Sequence, residues 1–93
     1  TWGWDYPMTA MCATRLGRPD DAVNALLMPV PKNTYLNNGH NWQSDRLRCY
    51  LPGNGGLLTA IALMTAGYDS STTKNPGIPT SWDVRWEGIL PLP

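Results

Sequence analysis

The chain has 93 residues, enough for one domain and a modest core, since a chain this short buries only roughly 60–65% of its unfolded surface. Seven basic residues balance seven acidic ones, and with no basic stripe to neutralise phosphates a nucleic-acid partner is excluded. Five Trp and four Tyr occur without a single Phe, a balance that suits wet clefts and interfaces as well as cores.

The opening "TWGWDYP" leads into the first expected helix, 5–17. Met8, Met11, Cys12, Ala13 and Leu16 fall mostly at three- and four-residue spacing, which makes one apolar stripe. Asp5 suits the N-cap, Pro7 the first turn and Gly17 a left-handed C-cap. A second helix is expected over 19–28, with Asp20 and Asp21 in the first turn, where the helix dipole favours acids. Ala22, Val23, Leu26 and Leu27 form its buried stripe. So short a connection makes the two helices antiparallel.

Residues 29–53 mix Pro, Asn and Gly with aromatics and are too long for a plain connector. Their Tyr and Trp content predicts an ordered functional loop, with short extended pieces at 33–36 and 46–51. The third helix is expected over 54–67, with Asn54 as N-cap and Gly67 as C-cap. Leu57, Leu58, Ile61, Ala62, Leu63 and Met64 make it apolar nearly all round, the pattern of a helix buried on all sides. Residues 70–80 are polar and turn-rich. In "SWDVRWEG", Trp82, Val84 and Trp86 alternate with Asp83, Arg85 and Glu87, which predicts a strand with one buried face. The chain thus divides into a helical part, 1–69, and a turn-rich connection with a terminal strand, 70–93.

Antiparallel packing gathers the start of the first helix, the long loop and the start of the third helix at one end. That end collects Trp2, Trp4, Asp5, Asn38, His40, Trp42 and Asn54. Aromatic faces stack on the apolar faces of sugar rings, and Asn, His and Asp fix hydroxyls, so these are candidate carbohydrate contacts in an aromatic cleft. Each has a plainer role beside it. Asp5 is a cap or a catalytic or substrate-contacting acid. Trp2 and Trp4 belong to a core or a cleft. His40 is a solvated loop residue or a ligand contact, while Asn38 and Asn54 serve a turn and a cap. Glu87, the lone Glu, reads as a surface residue rather than an acid catalyst. Gly53, Gly55 and Gly56 lack the spacing of a phosphate-binding loop. Cys12 and Cys49 read as two buried thiols, with a disulfide as the alternative. A single His without CxxC or HExxH spacing gives no metal site, and no cofactor is expected. No apolar run approaches the ~18–20 residues that cross a bilayer, so no membrane partner is expected.

In order, "WGWDYPMTAMCATRLGRPDDAVNALL", "NTYLNNGHNWQ", "YLPGNGGLLTAIALMTAGYD" and "WDVRWEGILPLP" resemble the C-terminal part of bacterial glycoside hydrolases with an (α/α)6 barrel, the six-hairpin glycosidases. "GNGGLLTAIALM" is also similar to the glycine-rich inner helix of the related alpha-L-fucosidase branch. The resemblance implies a mainly α fold, a partial (α/α)6 barrel of about three helices. The first and third helices would be inner and the second outer, with their N-terminal ends lining a sugar funnel. It implies that most neighbours of the third helix lie in other hairpins, and it favours a secreted or periplasmic setting. In the fucosidase branch a catalytic Asp stands directly before that Gly-Asn; here Pro52 stands there, so that base does not carry over. Glycoside hydrolysis uses two carboxylates, and only Asp5 and Asp45 are suitably placed. The expectation is therefore a hydrolase segment, inactive alone, whose partners are a carbohydrate substrate and the remainder of the polypeptide, or a copy of itself through helix 54–67. A non-catalytic carbohydrate-binding module and a structural helical interaction domain are the alternatives.

Overall fold

The computed structural model describes all residues, Thr1–Pro93. Three α-helices follow in chain order: α1 (Asp5–Arg15), α2 (Pro19–Leu26) and α3 (Leu51–Ala66). Between α2 and α3 lie a 3-10 turn, Pro31–Asn33, and a two-stranded antiparallel ribbon, β1 (Thr34–Tyr35) and β2 (Asn41–Trp42). The chain is thus a mainly helical small domain. The three helices fall where the periodicity predicts them, with ends shifted.

The turn between α1 and α2 follows from Gly17. Its φ of +73° is open to glycine at little cost, and it closes α1 with two bonds that consume orphan carbonyls. Gly17 N–H donates to Thr14 C=O, and Arg18 N–H donates to Ala13 C=O. Pro19 then begins α2, where its missing N–H costs nothing.

Small residues bring the helices together. The core is Ala10, Ala13, Ala22, Val23, Ala25, Ala60 and Met64, with Met11, Leu26 and Ile78 packed on its margin. Helices α1 and α3 run in the same direction. A Cβ on Gly56, near the start of α3, would come within 3.0 Å of Pro7 Cγ, near the start of α1. Toward their other ends, Thr14 and Met64 both close on Gly77. Gly77 N–H donates to Met64 C=O, so residues 75–78 wedge between the helices where no side chain fits.

Five expectations require correction. Helix α3 begins at Leu51, so Asn54 lies inside it and is not its cap; Pro52 supplies the first turn, and Tyr50 stands at the cap position without a side-chain bond. Trp4, not Asp5, occupies the cap position of α1, and Asp5 is its first helical residue. Residues 82–87 form no strand, because their backbone makes no ladder pairing; within residues 70–93 the sole bridge partner is Leu92, paired in parallel with Tyr68. Of the extended pieces, 33–36 contains β1, whereas 46–51 contributes only Leu47, bridged to Ser44; the second strand is β2. Cys12 and Cys49 are free and exposed, neither buried nor bonded.

Helix α3 is not buried on all sides. Leu63 and Met64 are enclosed, but Leu51, Leu58 and Ile61 are exposed, Leu58 at 71%. One face meets α1, while Leu51 and Leu58 stand open to solvent and Ile61 edges a groove with Val23 and Trp82. No helix is long and apolar enough to cross a membrane.

Candidate functional site

The start of α1, the β-ribbon and the start of α3 meet at one end of the molecule, and two buried amides hold them there. Asn41 is fully buried and Gln43 is 2% exposed. Gln43 Oε1 accepts from Gly3 N–H at 2.8 Å, and its Nε2 donates to Lys32 C=O at 2.9 Å and to Asn41 Oδ1 at 3.1 Å. Asn41 Nδ2 donates to Thr34 C=O at 3.0 Å, while its backbone N–H donates to Asn54 Oδ1 at 2.9 Å. Asn54 Nδ2 reaches Gly39 C=O at 2.7 Å. Tyr50 N–H closes the ring on Asn41 C=O at 2.8 Å. No buried side-chain polar atom is left without a partner, the condition under which a buried polar network rigidifies rather than weakens a fold.

Glycines make the approach possible. A Cβ on Gly3 or on Gly53 would overlap Asn41 Oδ1, so Asn41 is held between the two backbones. Trp2 covers this network. Its ring stacks on Tyr50 at 5.7 Å between centroids and lies 5.4 Å from Lys32 Nζ, a cation–π contact. Lys32 Nζ also donates to Gln43 C=O at 3.1 Å.

Asp5 bonds back toward the N-terminus: its Oδ2 accepts from Trp2 N–H at 2.9 Å, and its own N–H donates to Trp2 C=O at 3.0 Å. An acid in the first turn also favours the helix dipole. Trp4 sits one residue away, half exposed, as is Trp2. Trp42 is half-buried on β2. Asn38 and His40 stand exposed at the ribbon tip, where Asn38 Oδ1 accepts from His40 N–H at 3.0 Å in an Asx turn. Asp45 lies in the exposed turn between Ser44 and Leu47, paired with Arg48 at 3.5 Å. Burial raises the Tyr35 hydroxyl above the ordinary phenol value of 10.0; its O–H points to Gly53 C=O at 3.4 Å.

All seven predicted residues therefore lie at or beside this end. Trp2, Asp5 and Asn54 are joined to it by hydrogen bonds, whereas Asn38 and His40 project from the tip. They do not enclose a cavity: no pocket in the molecule is lined by any of the seven. The surface they form is an open, aromatic-edged rim. Sequence reasoning missed Asn41, Gln43 and Lys32. The available signal was the alternation Asn41-Trp42-Gln43, which places both amides on one face of a strand. The most enclosed apolar groove lies elsewhere, an opening of about 290 Å³ that includes Val23, Ile61, Met64 and Trp82 and has no polar lining residue. No grouping of His, Cys, Asp and Glu suits a metal ion.

No protein-family model, no curated protein and no solved structure matches this chain.

Proposed function

We propose that this chain is the sugar-contacting wall of a glycoside hydrolase, a C-terminal segment of an (α/α)6 barrel that is catalytically incomplete alone. The observation carrying this reading is the rim itself. Trp2 and Trp4, each half exposed, precede Asp5 where α1 starts, and Asn54 ties the start of α3 to the same rim. The half-exposed Trp4 ring beside a carboxylate and amides supplies the stacking and hydroxyl contacts a pyranose takes, while the Trp2 ring is already stacked on Tyr50 and approached by Lys32. Asp5 is the proposed catalytic group. Its partner carboxylate is supplied by another part of the enzyme, because Asp45 stands in a turn with its side chain 90% exposed.

Titration of the chain with a panel of oligosaccharides, followed by tryptophan fluorescence and the Trp2 and Trp4 indole N–H resonances, tests the contact. A saturable response that Trp4→Ala abolishes is expected, with no release of aryl aglycone from chromogenic glycosides. Absence of a saturable response to every glycan, or a response indifferent to Trp4→Ala, refutes it. In the hydrolase containing this segment, Asp5→Asn is expected to lower kcat with KM little changed; unchanged turnover would reduce Asp5 to the anchor of Trp2.

A second reading, a structural helical interaction domain, is favoured by the uncovered apolar face of α3 carrying Leu51, Leu58 and Ile61. Such a domain ignores glycans, so the same titration separates the two.

A further inference from the structure

The chain contains two Asn-Gly pairs, Asn38-Gly39 and Asn54-Gly55, in opposite structural settings. Asn-Gly is the dipeptide most prone to cyclise, because glycine leaves the following amide nitrogen unshielded. We propose that Asn38 is a site of spontaneous deamidation and isomerisation, and that the fold withholds Asn54 from the same chemistry.

Asn38 stands at the exposed tip of the β-ribbon, and Gly39 follows with φ +90° and open space where a Cβ would be. The Asn38 side chain has one bond, accepted by Oδ1 from His40 N–H. The amide nitrogen of Gly39 donates to Leu36 C=O at 2.8 Å. That turn bond, with the exposed bond that Gly39 C=O accepts from Asn54 Nδ2 at 2.7 Å, is the restraint to be broken. Asn54 differs in backbone, burial and side-chain bonding, though Gly55 too has open space where a Cβ would be. It is half-buried within α3, Oδ1 and Nδ2 are both bonded, and Gly55 continues the helix. Helical backbone keeps the Gly55 nitrogen away from the Asn54 side-chain carbon, so cyclisation there requires the start of α3 and the Asn41 network to open together.

In the reaction, the deprotonated Gly39 nitrogen attacks Asn38 Cγ, a C–N bond forms, and the side-chain nitrogen leaves as ammonia. Water then opens the five-membered imide at either carbonyl. One product has Asp at position 38. The other is its β-linked isomer, with an added methylene in the backbone. Either product puts a carboxylate beside His40. No redox partner is involved, and water is the only co-reactant.

The test holds the chain at mildly alkaline pH, folded and in denaturant, and follows the tryptic peptides 33–46 and 49–74 by tandem mass spectrometry, which assigns the exchanged residue. In the folded chain Asn38 is expected to convert at least about tenfold faster than Asn54, since the Asn54 route is gated by local unfolding. In denaturant the two rates converge. Asn38→Gln removes the product from peptide 33–46 without altering the backbone at Gly39. Equal rates at the two sites in the folded chain, or conversion at Asn54 first, overturn the proposal. So does conversion in peptide 33–46 that survives Asn38→Gln.

Discussion

Burial moves the proton affinity of the Tyr35 hydroxyl. Its folded pKa lies above the unfolded value of 10.0, so the neutral phenol is favoured in the native state. The contribution is complete below the unfolded pKa and is lost as pH rises through the folded one, because the unfolded chain gives up its proton first. Denaturation midpoints should therefore fall faster above about pH 10 for the wild type than for Tyr35→Phe, which has no proton to lose. Parallel slopes would show that the hydroxyl titrates alike in both states. The ion pairs invite no comparable test. Arg18–Asp21, Arg48–Asp45 and Arg85–Asp83 are all solvent-exposed, where such pairs contribute little.

At the level of elements, the glycines of α3 set two forces against each other. Alanine is better than glycine in a helix by about 0.8–1 kcal/mol, which argues for substitution at every one. Gly55 has open space where a Cβ would stand, so Gly55→Ala should stabilise by about 0.5–1 kcal/mol. At Gly53 the same methyl would overlap Asn41 Oδ1, and displacing a buried amide with several bonds outweighs the propensity gain. Gly53→Ala should destabilise by about 1–3 kcal/mol. Urea denaturation of both variants decides it; matching signs would show that the Asn41 clamp yields easily. Periodicity revealed the helices because an apolar stripe is a local property of sequence. The Gly17 cap was legible for the same reason, since one residue type meets one backbone need. Helix starts were not, because Asn54 has the chemistry of a cap yet finds better partners in Asn41 and Gly39. The missing strand at 82–87 teaches the same point from the other side. Trp82 and Val84 do lie along one groove, as their alternation implies, but a strand also needs a neighbour with free backbone groups. That the sugar-contact candidates converge at one end followed from helix direction. Their failure to enclose a pocket did not, because it depends on what else surrounds them.

The whole molecule is elongated, with extents of 43 × 24 × 23 Å and a radius of gyration of 13.3 Å, against about 12 Å for a compact chain of this length. Only 19 of 93 residues are buried, and the core is built largely from alanines, so the apolar area removed from water is small. Leu51, Leu58 and Ile61 stay in solvent on a helix without one charged residue, and the net charge of zero gives copies no mutual repulsion. The wild type should accordingly sediment with a mass that grows with concentration. Leu58→Glu should sediment as a monomer with unchanged helical circular dichroism, because that side chain leaves the core untouched. A wild type that stays monomeric at all concentrations would show that the α3 face is tolerated in water.

The backbone bridge between Tyr68 and Leu92 carries a mechanical meaning. Leu92 N–H donates to Gly67 C=O, Asp69 N–H donates to Leu92 C=O, and Arg15 holds Pro93 C=O while covering the Tyr68 ring. The last residues are thus latched beside the end of α1, while Trp2 is fixed at its beginning. A pull applied between the two termini loads the latch and the Trp2 anchor alike, and the latch is the weaker of the two, with three hydrogen bonds and one cation–π contact against the buried amide network behind Trp2. The latch should peel before the helices yield, letting out the slack of residues 70–91 while the Asn41 clamp stays shut. Strain arriving from that side would be absorbed as length, and the rim at the opposite pole would keep its shape.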